Sequence, residues 1–170
     1  MGVSFPKTLH NFNVFIGDGN LAGIATEVVL PKIDIKLEGM YASMFTEFPV
    51  YTGELTPLQC TIRMAEYSAA MQFLVGKFPA QIPVTVKGSI GDDRSAQEIP
   101  VTAIITGIIM SYTPSAFASG KNTDDTYTVT GSYYKLVYDG QTVVEINFAK
   151  NVLKLSGKDV VEEIRKRILV

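Results

Sequence analysis

One histidine, one cysteine and two pairs of adjacent aspartates are the side chains of this 170-residue chain whose types could best do chemistry. Any His-based catalytic triad would have to use His10, which stands near one end of the chain. No Gly-x-Ser-x-Gly nucleophile elbow accompanies it. One cysteine, Cys60, and one histidine fall short of a typical zinc ligand set. The phosphate-cradling Gly-x-x-x-x-Gly-Lys-Ser/Thr loop is missing, and Gly17-Asp18-Gly19 is followed by no helix, so it reads as a turn and not as a nucleotide loop. The carboxylate pairs Asp92/Asp93 and Asp124/Asp125 could serve acid–base or metal chemistry. Both sit in turn-like sequence, where Asp is favoured because its side chain bonds the nearby backbone. We read them as turn residues, His10 as an ordinary polar residue and Cys60 as a small core residue. No catalytic residue, metal or cofactor is expected, and the chain does not read as an enzyme.

Composition narrows the class further. At this length the simplest organisation is one domain over 1–170, and 46% apolar residues suffice for a core. No stretch reaches the roughly 20 apolar residues of a transmembrane helix, and Met1 to Asn13 lacks the apolar run of a secretory signal. A net charge of −2 argues against a domain held to nucleic acid by phosphate contacts. Residues 150–170 carry +3, a basic tail on a mildly acidic body.

The elements that must position these residues read mostly as strands. Asn11 to Ile16, a turn at Gly17-Asp18-Gly19-Asn20 and Leu21 to Leu30 come first. Lys32 to Glu38 alternates: Lys32, Asp34, Lys36 and Glu38 on one face, Ile33, Ile35 and Leu37 on the other. Leu58 to Met64 alternates as well, with Gln59, Thr61 and Arg63 opposite Leu58, Cys60, Ile62 and Met64. These two segments read as the arms of one hairpin. Ser68 is the N-cap of a short helix over Ala69 to Val75, ended by Gly76. Pro83 to Ile90 sets Val84 and Val86 against Thr85, Lys87 and Ser89. Ile99 to Tyr112 is an apolar strand, and Thr113 to Asp125 an exposed, mobile loop. Thr126 to Tyr138, with Tyr127, Val129 and Tyr133 alternating, joins Thr142 to Phe148 through an Asp139-Gly140 turn. That last strand sets Val144, Ile146 and Phe148 against Glu145 and Asn147. A closing helix over about 157–169 is capped by Ser156, with Val160, Ile164 and Ile168 on its apolar side.

Between the two arms lies the segment Gly39 to Gly53, in which eight side chains are apolar or aromatic and Glu47 is the only charge. Hairpin tips are normally polar and short. Met40, Tyr41, Met44, Phe45, Phe48, Val50 and Tyr51 therefore have two readings: a lid on the subunit's own sheet, or a contact with another subunit. The arms already supply a full apolar face, which favours the second.

Order and spacing across the chain resemble the major tail tube protein of contractile-tailed bacteriophages, and also the tube of R-type pyocins. The resemblance runs from about Asn11 to the C-terminus. It is carried by Asn13-Val14-Phe15, Leu30-Pro31-Lys32, Lys36-Leu37-Glu38, Tyr134-Lys135-Leu136, Asp139-Gly140, Val144-Glu145-Ile146 and the basic closing helix. It implies a mainly β (α+β) subunit: an antiparallel β-sandwich or barrel-like tail tube fold with one short central helix and a C-terminal helix. Six subunits would form a ring, and rings would stack into a hollow tube. Four strands per subunit would close an inner barrel, while a long hairpin, its tip at about 39–57, reaches the next ring. The implied partners are further copies of the chain, the tail sheath protein, and baseplate and tail terminator proteins. Tape measure protein and DNA would fill or traverse the lumen without specific binding. The implied location is the virion tail, assembled in the host cytoplasm. The four half-polar strands would then line the lumen with Lys32, Asp34, Lys36, Glu38, Gln59, Thr61, Arg63, Thr85, Lys87, Ser89, Glu145 and Asn147. Their net charge of +1 is compatible with transit of a polyanion. A type VI secretion tube shares this architecture. From another class, a monomeric β-barrel binding an apolar ligand under the 39–53 flap also accommodates the pattern.

Overall fold

The computed structural model describes residues 6–42, 46–92, 95–162 and 166, with backbone alone at 37, 40–42, 46–53, 92, 95 and 96. Strict apolar alternation produces strands, and antiparallel strands dominate. In chain order they are β1 (Thr8–Ile16), β2 (Gly19–Asn20), β3 (Ala25–Val29), β4 (Ile35–Ala42), β5 (Thr46–Leu55) and β6 (Leu58–Met64). After the helix α1 (Ala69–Gln72) come β7 (Ile82–Asp92), β8 (Ser95–Thr113), β9 (Asp125–Tyr138), β10 (Gln141–Asn147), β11 (Val152–Leu155) and β12 (Lys158–Asp159).

One large sheet runs β12-β11-β10-β9-β8-β7-β1-β2, and a branch of β6 and β3 leaves it at β9. The long strand β9 builds the fork. One of its edges pairs with β8 from Thr126 to Tyr138. Its other edge is shared: residues 125–131 pair with β6, and residues 133–138 pair with β10. The sheet thereby divides into two leaves. The first holds β3, β6 and the adjoining halves of β9 and β8; the second holds β2, β1, β7, the remaining halves of β8 and β9, then β10, β11 and β12.

Both leaves turn their apolar sides to one core. Leu58, Cys60, Ile62 and Met64 of β6 meet Val14 of β1, Val84 of β7, Ile105 and Ile109 of β8, Tyr127, Val129 and Tyr134 of β9, and Ile146 of β10 in a single buried cluster. Each such side chain contributes roughly 1.5–3 kcal/mol by leaving water. A cavity of about 340 Å³ between β3 (Thr26, Val28) and β1, β7 and β8 (Phe12, Val86, Ala103) marks where the first leaf folds over the second. The architecture is sandwich-like, and among the described residues the sheet does not close on itself.

The turns follow their residues. Asp139 (φ 50°) and Gly140 (φ 73°) make the two-residue hairpin turn between β9 and β10. Ser68 caps α1, accepting from Met71 N at 3.5 Å, and Gly76 (φ 68°) ends the turns that follow it.

Five expectations change. Residues 39–42 and 46–53 are strand and not loop: β4 and β5 pair with each other, Ile35 with Leu55 and Tyr41 with Glu47, in a separate two-stranded sheet. Aromatic and β-branched residues favour extended backbone, so the ladder continues through the apolar stretch. The arms are therefore 35–42 and 46–55, whereas 58–64 pairs with β3 and β9. Second, Ser156 (φ 50°) and Gly157 (φ 79°) form a hairpin turn instead of a helix cap, and Lys158–Asp159 pairs back as β12. Glu162 and Lys166 are helical, and the rest of the closing segment, Ile164 and Ile168 included, lies outside the described residues. Third, only 25–29 of the stretch 21–30 is a strand. Fourth, Tyr134 takes the buried place expected for Tyr133, because the β8–β9 register breaks beside Gly131 and shifts the period by one. Fifth, Phe148 lies beyond β10 and is exposed.

Candidate functional site

The groups best suited to chemistry do not converge. His10 Nδ1 lies 3.6 Å from Glu98 Oε1 on an exposed part of the β1–β7–β8 surface. Glu98 also accepts from Ser89 Oγ at 2.6 Å, and this bond, then His10, holds its carboxyl below the usual range. Cys60 is fully buried, and burial pushes its thiol up to about 12, so it is not a nucleophile at neutral pH. Asp92 and Asp93 lie outside the described side chains. Among the described residues no three His, Cys, Asp or Glu side chains are grouped to hold a metal ion.

Asp125 is not a turn residue. It is fully buried at the start of β9 and accepts from Tyr112 Oη at 3.0 Å, Ser115 N at 3.0 Å and Ser115 Oγ at 3.1 Å. Tyr112 Oη in turn accepts from Gln72 Nε2 of α1 at 3.0 Å. Burial, then the neighbouring carboxylate, pushes the Tyr112 hydroxyl well above its ordinary range. One carboxylate thus ties α1, β8, β9 and the 114–124 loop together. Thr123 Oγ1 fastens the far end of that loop to Ala65 O at 2.7 Å.

What remains are surfaces. On the first leaf, the outer face is polar because the inner positions, Asp125 apart, are taken by apolar side chains such as Cys60, Ile62, Ile109, Tyr127 and Val129. Cross-strand rows run Val29–Thr61–Thr128–Ser111 and Glu27–Arg63–Thr126–Thr113, and Gln59–Thr130–Ile108 completes the face. Its charges among the described residues are Glu27 and Arg63, 3.0 Å apart. The outer face of the second leaf is more strongly charged. Lys87 Nζ lies 5.4 Å above the Phe15 ring, with Thr85 two residues before it. Glu145 faces Lys135 on β9 and bonds Lys154 Nζ at 3.3 Å and Tyr133 Oη at 3.5 Å. Asn147 accepts from Lys150 N.

The residues expected on one polar surface are therefore distributed over several. Gln59, Thr61 and Arg63 share the outer face of the first leaf. Thr85, Lys87, Glu145 and Asn147 lie on the second, and Ser89 belongs to the His10–Glu98 corner. Lys32 and Asp34 form an ion pair in the stretch before β4. Lys36 pairs with Glu54 within the hairpin at 3.1 Å, and Glu38 is exposed there. Of the apolar contact candidates, Met40, Tyr41, Phe48, Val50 and Tyr51 fall on β4 and β5, where the register sets Met40 opposite Phe48. Met44 and Phe45 lie outside the described residues.

Sequence reasoning missed a set of exposed apolar side chains. Phe73 (82% exposed), Phe78 (81%) and Phe117 (90%) stand in water, and Tyr67 and Met110 are exposed as well. Tyr67 and Phe117 are tilted ring against ring at 5.9 Å. Large aromatics inside turn-rich sequence were the available signal.

The comparisons agree on one family. A family model described as phage tail tube protein FII matches residues 6–168. The tail tube protein of Escherichia phage P2 is 25% identical over 98% of this chain and 99% of its own length. The major tail tube protein of Serratia phage KSP20 is 23% identical over 93% and 92%. In fold, the chain is similar to a sheath/tube terminator of an extracellular contractile injection system, PVC. That TM-score is 0.60 at 14% identity, covering 80% of this chain and 99% of the other. A chain of the PVC sheath–tube complex gives 0.59 at 14% identity, covering 83% and 95%. The chain belongs to the phage tail tube protein FII family and is a structural component of a contractile phage tail.

Proposed function

We propose that the chain acts without catalysis, as the repeating subunit of a hollow tube. Six copies form a ring, rings stack, and the outer face of the first leaf lines the lumen. The observation that carries this reading is the character of that face. Strands β6, β8 and β9 present Thr61, Thr126, Thr128, Thr130, Ser111 and Thr113, and the face's two charges neutralise each other. A lumen that DNA must traverse cannot hold fixed, uncompensated cations, because each would bind phosphate and release counterions. The hydroxyl-rich first leaf meets that condition. The second leaf, with Lys87 over Phe15 and with Lys135 and Lys154 beside Glu145, suits the outer wall, where a sheath protein would sit. Gln59, Thr61 and Arg63 keep the lumen role the sequence suggested for them. Thr85, Lys87, Glu145 and Asn147 exchange it for the outside.

Lateral closure supports the same assignment. The first leaf has an edge at β3, and joining such leaves around a ring would remove it. The partners of the tube are then the sheath outside, terminator and baseplate proteins at its ends, and tape measure protein and DNA within. Negative-stain electron microscopy of the purified chain tests the reading. Hollow tubes or rings with six-fold rotational symmetry are expected; a chain that stays monomeric at high concentration would overturn it.

A further inference from the structure

We infer that Asn11 and Asn13 close the open edge of β1 to any further strand, so that two copies of the chain cannot pair edge to edge through the second leaf. The guard lies within one chain and needs no tube to operate.

β1 is the outermost long strand of its leaf. β7 pairs with it from Thr8 to Ile16, but on its other side β2 covers only Phe15 and Ile16. Two bonds fix the direction of its backbone groups. Gly17 N donates to Pro83 O on the β7 side, and Leu21 N donates to Val14 O on the far side. Successive residues of an antiparallel strand turn their N–H and C=O groups to alternate sides. From 11 to 17 the odd residues therefore serve β7, and Phe12 and Val14 turn outward.

Outward N–H groups are what a second chain would use to add a strand. Both are already taken. Asn11 Oδ1 accepts from Phe12 N at 2.8 Å, and Asn13 Oδ1 accepts from Val14 N at 2.8 Å. Asparagine is a poor strand former, and burial does not demand it here, since Asn11 is exposed and Asn13 partly so. What the carboxamide adds is reach: its oxygen competes for the neighbouring backbone donor, as in other local asparagine bonds.

The edge needs closing because the ground beside it is apolar. Leu9 and Phe12 of β1 share a cavity with Val28 and Leu30 of the facing leaf, and Leu9 is half exposed. An unpaired edge next to apolar side chains is a template for aggregation. The edge of the first leaf is built differently. β3 pairs with β6 alone, Thr26 Oγ1 donates to Arg63 O of β6, and among the described residues no side chain caps a β3 N–H. Two β1 edges joined antiparallel would make an isologous, closed dimer that cannot grow. Capping β1 and leaving β3 open removes that dead end.

Replacing both asparagines tests the guard. Asn11→Thr with Asn13→Thr keeps a polar edge and suits a strand, but removes both carboxamide acceptors. Asn11→Asp with Asn13→Asp keeps an oxygen at each acceptor position. In dilute solution, protection of the Phe12 and Val14 amides from exchange should fall about tenfold in the threonine pair, the factor for one lost hydrogen bond, and hold in the aspartate pair. On concentration, sedimentation should show dimers of the threonine pair alone, at the wild-type melting temperature, and in them the two amides should be protected again. Unchanged protection overturns the inference, as does lost protection without dimers. Dimers that leave both amides exchanging are joined elsewhere and overturn it too. If the threonine pair melts early, Asn13→Thr alone makes the same test at Val14. A wild-type chain that forms neither rings nor tubes overturns the tube reading and leaves both measurements of the guard standing.

Discussion

Gly107 of β8 is paired with Gly131 of β9 at the residue where the sheet forks. A Cβ on Gly107 would overlap the Thr130 carbonyl oxygen and the Gly131 Cα, both backbone atoms with nowhere to go. A Cβ on Gly131 would stand 2.8 Å from Ile105 Cγ2, the end of a side chain that can turn. The close approach lets β9 leave β6 and take up β10 within two residues. Gly107→Ala should therefore cost about 3 kcal/mol, the upper end of overpacking, and Gly131→Ala roughly 1 kcal/mol. Urea denaturation of the two variants checks the order. Equal costs would mean that the fork is not held by this contact.

Asp125 makes a second asymmetric prediction. Three donors, from Tyr112 Oη and from Ser115 N and Oγ, converge on its two oxygens. Asp125→Asn keeps the shape but removes one of the two acceptor oxygens, so that one of these donors loses its partner. The loss should be roughly 1–3 kcal/mol, the range for a buried group left unsatisfied. The 114–124 loop should loosen with it, because Ser115 is one of its anchors. Faster tryptic cleavage after the exposed Lys121, at unchanged rates elsewhere, is the expected reading.

How much of this was legible follows the range of the interactions. The faces of 58–64 and 84–87 could be read because alternation is a local property, and Leu58, Cys60, Ile62, Met64, Val84 and Val86 are buried as expected. The partner of β6 could not be read. Its pairing with residues 125–131 depends on chain far away in sequence, and the nearer segment 32–38 offers the same alternation. Gly107 and Gly131 look like ordinary weak points in strands; only their juxtaposition marks the fork that moves the buried place from Tyr133 to Tyr134. Ser156-Gly157 carries its own signal, a two-residue turn between apolar Leu155 and Val160, but the helical spacing of Val160, Ile164 and Ile168 beyond it competes with that signal. The apolar hairpin was visible from composition. The Tyr67–Phe117 ring contact was not, because it depends on where the Asp125-anchored loop returns to the end of β6.

Alkaline pH should weaken the subunit through Cys60 and Tyr134. Burial raises the Cys60 thiol from 9.0 to about 12 and the Tyr134 hydroxyl from 10.0 to about 12. The fold holds protons that the unfolded chain releases from about pH 9 for the thiol and pH 10 for the tyrosine. Their stabilisation is whole below about pH 9 and drains away as pH rises toward 12. Cys60→Ala removes the thiol's share. Between pH 9 and 12 its stability should fall less steeply than wild type by about 1.4 kcal/mol per pH unit. Parallel denaturation midpoints across that range would refute the assignment.

The lumen assignment is separable from the tube itself. Thr128 lies on the outer face of the first leaf between Thr61 and Ser111, and Thr85 on the outer face of the second leaf opposite Ile104. Neither contributes to the core, so lysine at either position should leave the fold and the tube intact. In a stacked tube, Thr128→Lys would add one cation per subunit along the bore, and each would neutralise a phosphate of any DNA inside. Such tubes should retain DNA, shield it from nuclease, and release it steeply as salt rises. Thr85→Lys tubes, with the cation on the outer wall, should bind DNA that nuclease removes. Shielding by Thr85→Lys and not by Thr128→Lys would transfer the bore to the β7–β10 face. The neutral Glu27–Arg63 pair would then belong to the outside, and the transit argument would have to be rebuilt on the Lys135–Glu145–Lys154 row.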